Sequence, residues 1–469
     1  MTRGIMTRAA LLGGAALLGA APAQADTLRD AIAAAYATNP TLAEAQARQE
    51  ALEEAPEQAR AEGRPSLSAV AGAGYDDLGR GSASSADLQA AMPIWTGGRV
   101  SSAVRASSAD VAAGAQVVRD NEAAVLEQVV AAYADLLFAQ EAVEVARIGI
   151  ERLDRQIGEA QSRFDLGEAT RTDVAQLQAQ RSSVVANLAD AEAALASARA
   201  AYRAVVGEEP GALEDEVPPP GMLPADLADA RAAAELANPR LLERLRIVDA
   251  SRARIDRARA DGAPSIELAG AYGRGVEDAG GSLRDYDSAA SVGVTLRIPL
   301  LTGGLVASRV REAEATARAD RYAVQAELRE TMRSVETAWA TLQAAKQRET
   351  ASRDGLEAAQ IALDGVRAEY EFGLRSTIDI LLAEQSYRSA QLALARARSD
   401  VLMAQAALLR ATGHLDRAAF LDGRKEMARS RGEYLRVHSL HALGSIAFAH
   451  EGAGGIGAVE PGNVIIGQG

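Results

Sequence analysis

The chain has 469 residues, a formal net charge of −14 and no cysteine, which excludes disulfides, thiolate metal sites, a cysteine nucleophile and a lipid anchor on an N-terminal cysteine. Its arginines are scattered among a larger number of acids, so no nucleic-acid partner is expected, because phosphate binding needs a concentrated basic face. Aromatics are only 4% and alanine is abundant, a composition suited to long helices packed at close range.

The N-terminus reads MTRGIMTRAALLGGAALLGAAPAQA, with Arg3 and Arg8 flanking an apolar stretch from Ala9 to Ala21, then Ala23-Gln24-Ala25. This layout predicts a cleaved secretory signal peptide over 1–25. The apolar run is too short for a comfortable spanning helix, and no other stretch reaches the roughly 18 apolar residues a transmembrane helix needs. The mature chain is therefore expected to leave the cytoplasm without such a helix.

From Asp26 onward the sequence is written twice. NPTL at 39–42 returns as NPRL at 238–241, and GRPSL at 63–67 as GAPSI at 262–266, both 199 residues later. Beyond the next segment the offset becomes 206: PIWTGGR from Pro93 to Arg99 matches PLLTGGL from Pro299 to Leu305, FDLG at 164–167 matches YEFG at 370–373, and Gly207 matches Gly413. The extra seven residues fall between Tyr272 and Ser291, in a polar stretch expected to be a surface loop. The reading is a first repeat over 26–206, a linker over 207–225, a second repeat over 226–413 and a flexible tail over 414–469.

Within each repeat a short opening helix comes first, with Pro56 expected to kink the first one. Two strands follow, predicted as β-hairpins at about 65–95 and 264–299. Ile266, Leu268, Gly270 and Tyr272 alternate with polar positions, as do Val292, Val294, Leu296 and Ile298, and in the first copy Leu88, Ala90, Met92 and Ile94. Period two with one apolar face indicates half-buried strands, and about ten residues suffices to cross a bilayer at a tilt. A small soluble hairpin packed on the helices fits the same pattern. No proline occurs over 94–209 or 300–460, so these spans are free to be long helices. Apolar residues recur every seven positions at Val129, Leu136, Val143, Ile150, Ile157 and Phe164, and at Val335, Leu342, Leu356, Leu363 and Tyr370, with Glu349 breaking the second series. Leu188, Leu195 and Tyr202 match Leu394, Val401 and Leu408. Such heptads predict helices in coiled-coil contact, the first running from about 100 to 163. The segments at 164–173 and 370–379 read as tips of antiparallel helical hairpins, with Gly167 and Gly373 ending the incoming helices.

A lipid-exposed sheet must close on itself, yet four strands are too few, since membrane barrels need about eight or more. Copies of the chain must share the barrel, two giving eight strands and three giving twelve.

The signal peptide, the duplicated unit, the Pro-x-x-Thr-Gly-Gly phrases and the Gly-to-Asp hairpin tips together resemble the TolC family of outer-membrane channels, from about Asp26 to about Leu415. The resemblance implies a mainly α fold with a small β part. Three copies would form a 12-stranded outer-membrane β-barrel, standing in lipid, that continues into a periplasmic α-helical barrel. The implied function is the exit duct of a tripartite efflux or type I secretion system, working with a periplasmic adaptor and an inner-membrane ABC or RND transporter. In that fold each Thr-Gly-Gly phrase marks one strand-to-helix exit, with Thr96 or Thr302 expected as the helix cap. By the same resemblance, gate residues fall on Thr172, Asp173, Tyr370 and Arg375, with Arg375 and Tyr370 donating to Asp173. Asp379 falls on the pore constriction, and the second acidic position there is Leu382. Leu166, Gly167, Phe372 and Gly373 fall at adaptor-contacting tips.

Other motifs carry little. GAGGIG at 452–457 lacks a strand and helix around it, and His438 and His441 have no acidic partners nearby, so no cofactor, metal or enzymatic site is expected. The competing reading is a soluble periplasmic coiled-coil adaptor or scaffold.

Overall fold

The computed structural model describes residues 27–76, 81–214, 223–278 and 287–417. The expected signal peptide, the polar loop carrying the length difference, His438, His441 and the glycine-rich end lie wholly or largely outside these residues. The elements in chain order are α1 (Leu28–Thr38), α2 (Pro40–Glu53), α3 (Ala55–Ala61), β1 (Ser66–Asp76), β2 (Gly81–Trp95), α4 (Arg99–Asp165) and α5 (Arg171–Val206). The second series is α6 (Leu227–Ala237), α7 (Pro239–Ala260), β3 (Ser265–Asp278), β4 (Asp287–Arg297), α8 (Leu305–Glu371) and α9 (Thr377–Thr412).

The two series match closely. α4 and α8 have 67 residues each, and α5 and α9 have 36 each. At 1.5 Å per residue the long helices span about 100 Å. Pro56 does more than kink the opening helix of the first copy: α2 ends at Glu53 and α3 begins at Ala55, with the proline in the first turn of the new helix, where its missing N–H costs nothing.

The heptad positions lie in the interior where helices cross. Val129, Leu136, Val143, Val335, Leu342, Leu363, Tyr202, Leu394 and Leu408 are buried, while Phe164, near the tip, is exposed. The largest apolar cluster sits midway along α4, where Leu126, Val129, Tyr133 and Leu136 meet Ile32 and Ala35 of α1, Tyr202 and Val206 of α5, and Leu402 and Leu409 of α9. A parallel cluster joins Ala230 and Ala234 of α6 to Val335 and Leu342 of α8 and Leu408 of α9. Leu415, expected in the loose tail, is buried in the first cluster.

The repeated Asn-Pro phrases work at this level. Asn39 accepts from Thr41 N at the start of α2 and donates through Nδ2 to Val205 O at 2.9 Å. Asn238 accepts from Arg240 N at the start of α7 and donates to Ala411 O at 2.9 Å. Each asparagine thus caps one helix and satisfies a terminal carbonyl of another.

The four strands form one antiparallel sheet in the order β1-β2-β3-β4, so the two copies meet along β2 and β3. The register places Leu88 opposite Tyr272, Met92 opposite Leu268, Leu268 opposite Val294 and Ile266 opposite Leu296. One face therefore carries a continuous apolar band. Among the described residues no helix packs substantially on the sheet, and Val292, Val294, Leu296 and Leu67 are well exposed, Val292 at 82%. A hairpin tucked against helices is thus not what forms. An apolar sheet face of this size in water would be a liability.

At the strand-to-helix exits, Gly97 and Gly98 have φ of 63° and 88°, and Gly303 and Gly304 have φ of 58° and 84°. Two consecutive left-handed residues are tolerated only where Cβ is absent, which explains the recurring phrase. The threonine cap expected here does not form. Gly98 and Gly304 occupy the N-cap positions without a side-chain hydrogen bond. Thr96 and Thr302 contribute main-chain carbonyls instead, accepting from Arg99 N and Leu305 N at 3.1 Å each. The glycine pair turns the chain too sharply for the threonine hydroxyl to serve the first helical turn.

Candidate functional site

The far ends of the two helical hairpins lie side by side. Each incoming helix ends on a left-handed glycine, Gly167 (φ 81°) or Gly373 (φ 74°). Glu168 N and Leu374 N return to Arg163 O and Glu369 O at 2.8 and 2.9 Å, closing both helices in the same way. The outgoing helices both start with a capping box. Asp173 Oδ2 accepts from Thr170 N and Oγ1 at 2.9 and 2.7 Å, and Asp379 Oδ2 accepts from Ser376 N and Oγ at 2.9 and 2.8 Å.

Asp173 and Asp379 are therefore local equivalents, each an acid at the third helical position. The Thr170 donors hold the Asp173 carboxyl below the usual carboxylate range, with a smaller lowering from the nearby Thr377 hydroxyl of the other hairpin. The Ser376 donors do the same for Asp379. Arg375 donates from Nε to Glu369 Oε2 at 2.6 Å within its own hairpin. Tyr370 lies under the Arg163 guanidinium, 5.3 Å from ring centroid to Cζ. Within one chain, then, Asp173 is engaged by Thr170, while Arg375 and Tyr370 are held by Glu369 and Arg163. At the tips the stacking of Arg163 on Tyr370 crosses between the hairpins.

Thr172, Leu166, Gly167, Phe372, Gly373 and Leu382 are exposed, with Leu166 and Phe372 forming a projecting apolar pair at the tips. Asp379 is half-buried three residues before Leu382, so both lie on one flank of α9. A cavity of about 940 Å³ opens between the hairpins behind the tips, lined by α4, α5, α8 and α9, including Arg152, Arg163, Tyr370 and Glu384. Among the described residues no group of His, Asp and Glu is arranged to hold a metal ion.

Sequence reasoning missed Glu384, the one charged side chain that is buried among the described residues. The available signal was its position four residues after Ile380, on the same stripe as the buried Thr377, Ile380 and Leu381.

The chain matches the family described as outer membrane efflux protein over residues 31–208 and 230–414. It is 31% identical over 422 residues to the outer membrane efflux protein BepC of Brucella suis, covering 88% of this chain and 90% of that one. It is 27% identical over 306 residues to the alkaline protease secretion protein AprF of Pseudomonas aeruginosa, covering 64% of this chain and 63% of the relative. In fold it is similar to a crystal structure of CusC, described for its transmembrane channel formation, with a TM-score of 0.71 at 19% identity over 82% of this chain and 92% of that one.

Proposed function

This chain belongs to the outer membrane efflux protein family, and from that premise we propose that three copies assemble into one continuous duct, gated at the hairpin tips. The chain is an outer-membrane exit channel of the efflux and type I secretion class. That class consists of transport proteins rather than enzymes, residing in the outer membrane of Gram-negative bacteria and working with adaptor and inner-membrane transporter partners. A cleaved signal peptide at 1–25 delivers this chain there.

The observation that carries the trimer is the sheet. Among the described residues its edges, β1 and β4, have no strand partner, and its apolar face is bare. In hydrocarbon both edges must find partners. The duplication supplies the template: β2 of the first copy pairs with β3 of the second, so β4 pairs equivalently with β1 of the next chain. Three chains close the ring with twelve strands, whose apolar band faces lipid. The same rotation carries the long helices into a periplasmic barrel.

At the tips, passage requires the hairpins to move apart. The contact from Tyr370 to Arg163, and any polar link that Asp173 makes across the gap, resist that motion weakly. Exposed polar links are worth about 0–1 kcal/mol each, and an exposed cation–π pair about 0.5–1 kcal/mol. Thr172 and Arg375 lie at the same exposed end, where the neighbouring chain completes the gate. Asp379 and Leu382 face the constriction, one acidic and one apolar ring. Leu166, Gly167, Phe372 and Gly373 present the adaptor with an apolar seat, and an ABC or RND transporter supplies the cargo through it.

The test is single-channel recording of purified protein in planar bilayers. A discrete conductance is expected, rising in a variant with Asp173→Ala and Arg375→Ala. Absence of any channel current from correctly folded protein overturns the duct.

A further inference from the structure

The tandem duplication makes the seam between the two repeats of one chain a guide to the seam between chains. α4 of the first repeat packs against α7 and α9 of the second. The offsets of 206 and 199 residues carry α4 onto α8, α9 onto α5, and α7 onto the α2–α3 segment. In a closed ring α8 therefore meets α3 and α5 of the next chain. Every side-chain pair between repeats then has a counterpart at that boundary.

Several ion pairs tie the repeats together. Arg105 meets Asp256 at 3.1 Å, Arg240 meets Asp120 at 3.0 Å, and Arg254 meets Asp110 at 2.7 Å. Arg257 meets Glu62 at 3.7 Å, Arg396 meets Asp135 at 2.9 Å, and Arg410 pairs with Glu127. Carried across the chain boundary, most of these lose a partner. The counterparts are Thr41 with Ala326, Ala55 with Thr316, Gln58 with Asp261, Asp190 with Thr341 and Ala204 with Arg333. Of the pairs named, only Arg105 and Asp256 map onto residues of opposite charge, Arg311 and Glu57.

The surroundings of that pair repeat as well. Asp256 also lies 3.9 Å from Arg259, three residues on, and Glu57 accepts from Arg60, at the matching position, at 2.7 Å. Glu57 pairs with Arg64 too, but a carboxylate offers about four acceptor sites, which leaves room for a third donor. Arg311 is exposed on α8 and, among the described residues, makes no ion pair within its own chain.

We propose that Arg311 of one chain pairs with Glu57 of the next, and that this contact fixes the register in which neighbouring chains dock. The proposal deepens the reading of a closed ring and rests on it. Arg311 lies in the second turn of α8, just past the strand-to-helix exit. A slip of β4 against β1 would carry the whole long helix with it and separate the two charges. The other counterparts offer no opposite pair, so charge selects the register at this one site.

The experiment places Arg311→Cys and Glu57→Cys in one chain and treats the assembled protein with a short bismaleimide. The chain has no cysteine of its own, so only the introduced thiols react. Denaturing gels should show covalent dimers and trimers. Arg105→Cys with Asp256→Cys is the control, which should consume its thiols yet remain a single-chain band. In parallel, Arg311→Glu should shorten the lifetime of the three-chain particle in warm detergent about threefold to thirtyfold, as an exposed attraction becomes a repulsion of similar size. Adding Glu57→Arg should restore that lifetime, a reciprocal recovery that a merely structural disturbance does not produce. Three-chain particles without an interchain band, when the control bridges, overturn the proposal and leave the ring standing. A charge reversal without effect, or without recovery in the double variant, does the same. If the wild type is a single chain, ring and pair fall together.

Discussion

The two Thr-Gly-Gly turns provide an internal control for ring closure, through a matched pair of substitutions, Gly97→Ala and Gly303→Ala. Both residues are left-handed, at φ 63° and 58°, so alanine costs each about 1–2 kcal/mol of backbone strain. Their surroundings differ. A Cβ on Gly97 would stand 2.5 Å from Ala263 Cβ and 2.9 Å from Pro264 O of the second repeat, whereas one on Gly303 meets nothing within 4 Å in the same chain. Overpacking of the first kind adds about 1–3 kcal/mol, giving a total near 2–5 kcal/mol for Gly97→Ala. In a lone chain Gly303→Ala should be clearly milder. In a closed ring the place taken by Ala263 and Pro264 beside Gly97 is taken beside Gly303 by the matching segment, Arg64 and Pro65, of the next chain. The account therefore predicts nearly equal losses of thermal stability for the two variants, followed by loss of helical circular dichroism in detergent-solubilised assemblies. A Gly303→Ala protein melting like wild type while Gly97→Ala is crippled would refute the ring junction. Two silent substitutions would refute the strain argument itself.

Asn238→Ala removes both the cap of α7 and the bond to Ala411 O, and should lower stability by about 0.5–2 kcal/mol in urea titrations. Asp379→Ala should reduce cation preference, read as a shifted reversal potential under a salt gradient. An unshifted potential would remove Asp379 from the constriction. The carboxyls of Asp173 and Asp379 are held below their ordinary value by their hydrogen-bond donors. A depressed folded value means that their capping contribution is fully present above the unfolded value, about 3.9 for aspartate, and is lost only as pH falls through the lowered one. Amide exchange at the starts of α5 and α9 should thus show no loss of protection from pH 7 down to about 4, once corrected for intrinsic rates. Earlier fraying would contradict the capping boxes.

Much of this architecture was legible in the sequence because it is carried by local rules. Proline-free spans with heptads become α4 and α8, and glycines placed after heptad runs become turns. Period-two residues such as Leu88, Met92, Val292 and Leu296 share one face of one sheet. What escaped depends on contacts distant in sequence or on side-chain competition. Nothing in the strand sequences says that β2 pairs with β3 across the copy boundary. Thr96 and Thr302 look like caps, yet two left-handed glycines displace them from the cap position. The spacing from Thr170 to Asp173 and from Ser376 to Asp379 is a capping-box pattern. For Asp379 a carboxylate favoured at a helix N-terminus is the alternative to a constriction residue, and the structure gives both acids that local role. Glu384 was invisible because its partners, Gln156 and Arg367, lie on two other helices.

The most direct measurement is the protein mass of the particle extracted from the outer membrane, obtained by light scattering with detergent subtracted. The account predicts three chains per particle, resistant to dissociation in mild detergent. A folded single chain that stays in the membrane fraction would contradict it, because four strands would then be standing in lipid with both edges open.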